Sequence, residues 1–192
     1  MALLIATSVG ACATRGHIAT PSEKTRLGEA QGLSASGRLS LSGPRGKFAA
    51  RVVFGVARPD ALRIEIPAGT GLRFLLVTRD GTLRAELPGD DAMFEGPGTS
   101  EIMNGLFGIA LSPADLVGAI LGSPPPSLDV VWRFEKDLPA QVTIQGTNDT
   151  RLTLTLDDPE VASPRPQAFE FGPRRRQTWT LREMSDRLGL AR

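Results

Sequence analysis

The feature that most constrains this chain is a two-residue alternation of polar and apolar side chains that restarts after nearly every Gly- or Pro-bearing turn. Residues 36–42 (SGRLSLS), 62–66 (LRIEI) and 83–87 (LRAEL) alternate cleanly. In 48–56 (FAARVVFGV), Phe48, Val52, Phe54 and Val56 share one face. Residues 72–78 are more continuously apolar, and 92–95 add a short further segment. The breaks between them are turn sequences: Gly43-Pro44-Arg45-Gly46, Arg58-Pro59-Asp60, Pro67-Ala68-Gly69-Thr70-Gly71 and Arg79-Asp80-Gly81-Thr82. Asp-Gly tolerates positive φ and marks a hairpin. Period two is the signature of strands with one buried face.

The period then changes. Thr99 or Ser100 is placed to cap a helix, and Ile102, Met103, Leu106 and Phe107 recur at helical spacing up to Gly108. Ser112-Pro113 opens a second helix, with Asp115 in its first turn. Leu116, Val117, Ile120 and Leu121 form its stripe, and Gly122 with Pro124-Pro125-Pro126 ends it. Strands resume at 128–135, 141–145 and 151–156. Residues 169–171 and 179–181 read as late strands, or as a strand and a short helix. Residues 22–30 have weak helical character, with Ser22 as a cap. A single antiparallel sheet of this size must curl or split, and two short helices cannot cover both of its faces. The expected fold is mainly β: one curled antiparallel sheet of about 10–11 strands, an incomplete barrel, with two or more helices plugging the concave side.

Composition narrows the chemistry. Among 192 residues there is one His, one Cys and no Tyr, and the net charge is +1. Nothing steers such a chain toward nucleic acid. His17 stands without a carboxylate cluster, so no metal is expected. No nucleophile elbow, dinucleotide fingerprint or phosphate loop occurs, so neither a cofactor nor an enzymatic activity is expected. Asp90-Asp91 and Asp157-Asp158 read as solvated turn or strand-end residues. Arg174-Arg175-Arg176 reads as a solvated edge that blocks sheet pairing, with contact to phosphate head groups as the functional alternative. Trp132 and Trp179 are expected in the core. The Phe residues with the surrounding Leu, Ile and Val suit either a filled core or a lined cavity for acyl chains, because both need the same apolar faces.

The amino terminus reads as an address. Val9-Gly10-Ala11-Cys12, after the mostly apolar residues 3–9, resembles the lipobox of bacterial lipoproteins. There the signal is cut before the Cys, whose thiol carries a diacylglycerol. The signal here is shorter than the usual run of about 15–30 residues and lacks a basic start, as a start codon assigned too late would leave it. Residues 13–22 are polar, aperiodic and contain Pro21, which suits a tether. Ala13, rather than Asp, after the Cys favours the outer membrane over retention at the inner one.

Residues 106–116 (LFGIALSPADL), closing on Ile120-Leu121-Gly122-Ser123-Pro124, resemble the outer-membrane lipoprotein receptor family LolB. The upstream order agrees, with Gly37-Arg38-Leu39 on a strand and a Pro-containing loop at Pro67. The resemblance covers roughly residues 33–124. It implies 1–11 as lipoprotein signal peptide, 12–22 as lipidated tether and 23–192 as a LolB-like half-barrel. It also implies a monomer on the periplasmic face of the outer membrane, anchored through Cys12 and acting in lipoprotein localisation. Lipoprotein acyl chains or another lipid would be the ligand, and a periplasmic LolA-like carrier the partner. With the period-two faces, it points to Phe54, Ile64, Phe74, Met103, Leu106 and Leu116 as the hydrophobic cavity. Pro67, Ala68 and Gly69 match the family's membrane-delivery loop, where the receptor exposes a Leu. Ala68 offers far less apolar area than the ~1.5–3 kcal/mol a buried Leu gains. A scaffold or sensor on the same fold, without transfer activity, is the other reading.

Overall fold

A computed structural model describes residues 16–44, 46–69, 71–146, 149–162 and 165–188. The proposed lipidation site Cys12 and the loop residue Thr70 lie outside these. The described residues form one unclosed sheet of eleven strands with four α-helices, as the alternation predicts. In chain order these are β1 (His17–Ile18), α1 (Pro21–Glu29), β2 (Gly32–Gly43), β3 (Gly46–Ala57), β4 (Ala61–Ala68), β5 (Gly71–Arg79), β6 (Thr82–Leu87) and β7 (Ala92–Pro97). Then follow α2 (Ser100–Phe107), α3 (Pro113–Ile120), β8 (Asp129–Glu135), β9 (Leu138–Gln145), β10 (Arg151–Glu160), β11 (Gln177–Thr178) and α4 (Leu181–Leu188). Across the sheet the order is β1-β8-β9-β10-β2-β3-β4-β5-β6-β7-β11. Every pairing is antiparallel except β11 with β7.

Register puts the apolar sets of neighbouring strands on one face. Phe54 lies opposite Ile64, Ile64 opposite Leu76, Leu76 opposite Ala85, and Ala85 opposite Phe94. A one-residue slip would turn all of them outward. That face carries the main core, closed by Met103 and Leu106 of α2 and by Leu116, Val117 and Ile120 of α3. Trp132 of β8 donates its indole N–H to the Ala119 carbonyl at 2.9 Å, fixing the end of α3 to the far half of the sheet.

Several boundaries differ from the sequence expectation. The stretch expected as a tether meets the sheet before Ser22. His17 and Ile18 pair with β8, and Ala19 is buried. Thr20, not Ser22, caps α1, because Pro21 fits the first helical position and Glu23 closes a capping box with Thr20. Asp157 and Asp158 lie inside β10, at a register shift against β2, rather than at a turn.

The largest difference is at the carboxyl end. Residues 169–171 form no strand. Instead a single tight turn, Pro166–Phe169, begins a segment laid on the outer face of β3 to β7. The Phe169 ring packs beside Gly55, and the Ala168 carbonyl accepts from Arg63 at 3.2 Å. Buried Arg84 donates to the Gly172 carbonyl at 2.7 Å, stacks 4.6 Å from the Phe171 ring and pairs with Glu95 at 2.6 Å. Arg175 reaches the buried Glu86 at 2.7 Å. Of the arginine run, Arg175 thus pins the strap to the sheet while Arg174 and Arg176 stay exposed, and β11 follows directly onto β7. The chain then rounds the edge into α4 and packs against α2, where the Ser185 hydroxyl donates to the Gly105 carbonyl at 2.8 Å.

Candidate functional site

The inner face is not completely filled. Between strands β2–β5 and β10 and helices α2, α3 and α4 lies a cavity of about 520 Å³. That is within the range of about 300–1,000 Å³ typical of small-molecule pockets. Its floor comes from alternate residues of paired strands: Val52 and Phe54, Ile64 and Ile66, Phe74 and Leu76. Leu39 and Leu41 of β2 and Leu152 and Leu154 of β10 extend it sideways. The roof is Met103 and Phe107 of α2, Leu116 and Ile120 of α3, and Leu188 of α4. Phe74 and Phe107 meet edge to face across it, with ring centroids 5.9 Å apart.

Local sequence explains why the roof helices sit where they do. Thr99 caps α2 and Gly108, at φ +71°, ends it in the left-handed conformation. Ser112 and Asp115 form a capping box at α3, with Pro113 at its first position. Met103 and Phe107 are four residues apart on α2 and so share the face over the cavity. At Arg58, one guanidinium donates to the Ala30, Gly28 and Leu121 carbonyls and to the Ser123 hydroxyl, at 2.9–3.1 Å. It thus ties the carboxyl ends of α1 and α3 to the β3–β4 turn, where a cation also suits both helix dipoles.

Five of the six cavity residues expected from sequence, Phe54, Ile64, Phe74, Met103 and Leu116, line the cavity. Leu106 does not; it is fully buried in the core beside it. Pro67, Ala68 and Gly69 are exposed at the β4–β5 hairpin, and Ala68 also lines the rim. The sequence reading missed Arg73, Asp90, Arg187 and Leu188. The last two belong to α4, whose signal was present as Thr180-Leu181-Arg182-Glu183. Thr180 donates its backbone N–H and its hydroxyl to Glu183, a capping box.

Polar groups are few. Arg187 pairs with Asp90 through two bonds of 2.9 and 3.0 Å, and the Asp90 carboxyl is held below the usual carboxylate range by that hydrogen bond. Asp91 pairs with Arg176, and His17 lies 3.0 Å from Glu23, distant in the chain from the cavity lining. Among the described residues, no group of three His, Cys, Asp or Glu could hold a metal, and no helix is long and apolar enough to cross a membrane. The cavity lining is thus mostly aliphatic and aromatic, with Arg73, Asp90 and Arg187 as its charged residues.

No family model and no curated protein matches this sequence. Among solved structures, the chain is similar to an uncharacterized conserved protein from Thermus thermophilus. The identity is 7%, over 82% of this chain and 95% of that one, with a TM-score of 0.42. It is also similar to a DUF1329 family protein from Desulfovibrio piger, at 8% identity over 78% and 95% of the respective chains, with a TM-score of 0.41.

Proposed function

We propose that this protein is an envelope lipoprotein that holds acyl chains in the cavity beneath α2, α3 and α4. In this reading Cys12 anchors it to the periplasmic face of the outer membrane. There it accepts lipoproteins from a LolA-like carrier and inserts them, as its resemblance to LolB implies. The carrying observation is the apolar cavity of about 520 Å³ on the inner face of an open sheet. Its floor and roof are aliphatic and aromatic, which suits a hydrocarbon chain and disfavours a polar metabolite. Binding of this kind needs neither nucleotide nor metal.

The exposed hairpin at Pro67, Ala68 and Gly69 favours a second reading, a lipid-binding scaffold or sensor that does not transfer its cargo. Ala68 gives that hairpin little apolar area to enter a bilayer. A fluorescent fatty-acid analogue tests the first step. The Cys12→Ala chain should bind it saturably, and Phe54→Glu or Phe74→Glu should weaken binding in variants that still unfold cooperatively. Absence of saturable binding by the unsubstituted cavity sinks both readings. Vesicles then separate them. Delivery of a bound lipoprotein into the bilayer supports the receptor, and retention of it supports the scaffold.

A further inference from the structure

The cavity has one wall that does not close. The β3–β4 ladder runs from Ala57 opposite Ala61 to Val53 opposite Glu65. Two residues further along β4 is Pro67, which has no N–H to continue it. Beyond that point Ala49 and Ala50 of β3, and Ile66 and Ala68 of β4, all border the cavity. The strands part around its mouth.

The next ladder is irregular at the same level. Ile66 lies opposite Phe74, yet Pro67 lies opposite Leu72, so Arg73 is an extra residue on β5. Such a bulge re-aims side chains. Strict alternation from Leu75 and Val77 would send Arg73 to the outer face, but it borders the cavity together with Leu72 and Phe74. Arg73 is exposed, and among the described residues it has no hydrogen-bond or ion-pair partner. The other charged residues lining the cavity, Asp90 and Arg187, neutralise each other. Glu65, on the adjacent strand, is already taken by Arg63. An apolar chamber thus carries one uncompensated cation, at its rim.

We propose that Arg73 receives the anionic head of an acyl-chain amphiphile whose tail occupies the cavity. The proposal rests on the acyl-chain reading above and specifies its ligand: a carboxylate or a phosphate at the mouth, hydrocarbon inside. A guanidinium presents two parallel N–H donors to two oxygens of either group. At the rim the head remains partly in water, so the charge adds preference more than it adds affinity.

Displacement of the fluorescent analogue from the Cys12→Ala chain tests this, with dodecanoate, dodecyl phosphate and dodecanol used below their micelle-forming concentrations. The anionic amphiphiles should bind about fivefold more tightly than the alcohol, and the margin should shrink as salt rises. Arg73→Gln should abolish the margin between the anions and the alcohol, and Arg73→Lys should keep part of it. At a pH where both anions carry a single charge, the one with the larger margin marks the head group that Arg73 prefers. A margin that survives Arg73→Gln, or equal binding of all three amphiphiles, overturns the role of Arg73 and leaves the acyl-chain reading standing. If none of the three binds, that reading fails and the proposal fails with it.

Discussion

Single residues here are constrained mostly by what lies beside them in the sheet, and two substitutions read this directly. At Gly37, a Cβ would stand 2.0 Å from the Thr155 carbonyl oxygen, so a backbone strand must move to admit any side chain. Gly37→Ala is therefore expected to lower stability by about 2 kcal/mol or more, although Ala normally suits a strand no worse than Gly. Chemical denaturation would measure it, and an unchanged midpoint would mean that β2 and β10 separate easily. Leu116, on the inner side of α3, is buried. Leu116→Asp should cost about 3 kcal/mol, since it places a charge among apolar side chains with no partner; an unaltered melting temperature would show that this face is not packed. Both positions were placed by the sequence, Gly37 within an alternating strand and Leu116 in a helical stripe, but the close approach of β10 at Gly37 was not. Arg73 was not. Its role depends on a one-residue bulge, and alternation counted along β5 assigns it to the wrong side.

Among elements, strands and the two central helices were legible because their periods differ and their caps are strong. Beyond β10 the elements were legible only in part: residues 169–171 form no strand, while the short helix read as the alternative at 179–181 corresponds to α4. Phe169 and Phe171 look like alternate strand residues because both are apolar and flank Glu170, but they serve the outer face of a sheet that already has its neighbours. Helix α4 is short and mostly polar outside its inner side, so its capping box was a clearer sign than its composition. Three of the four helices begin with a carboxylate whose pKa is lowered by hydrogen bonds. Glu23 accepts from the Thr20 backbone, Glu183 from the Thr180 backbone, and Glu101 from its own backbone N–H, with Thr99 assisting. Asp90 adds a fourth, through Arg187. Each is more acidic folded than unfolded. Its contribution is thus complete above the ordinary carboxylate pKa of about 4 and disappears as pH falls through the lowered value. Stability should stay level from neutrality down to about pH 5 and then fall. Glu183→Gln and Asp90→Asn together should flatten part of that fall, as thermal melts across the range would show; an identical acid limb would exclude these two groups as its source.

For the molecule as a whole, the sharpest prediction concerns address. With Cys12 intact, membrane fractions should contain the protein with an acylated amino terminus; with Cys12→Ala it should become soluble or persist as a precursor. An unmodified, soluble chain carrying Cys12 would refute the anchoring. The class of fold was legible at this scale because a long alternating chain with only short helices has few ways to hide its apolar face. The order of strands was not, since no local pattern says that β10 enters between β9 and β2. That order has a temporal consequence. The ladders from β2 to β7 join neighbours along the chain, so this half can assemble as it emerges. Its inner flank, however, waits for residues 151–157, and β1 waits for residues 133–134. Contacts this distant in sequence slow folding. A chain emerging amino end first would therefore carry β2 as a raw edge, open to pairing with other strands, until its last quarter arrived.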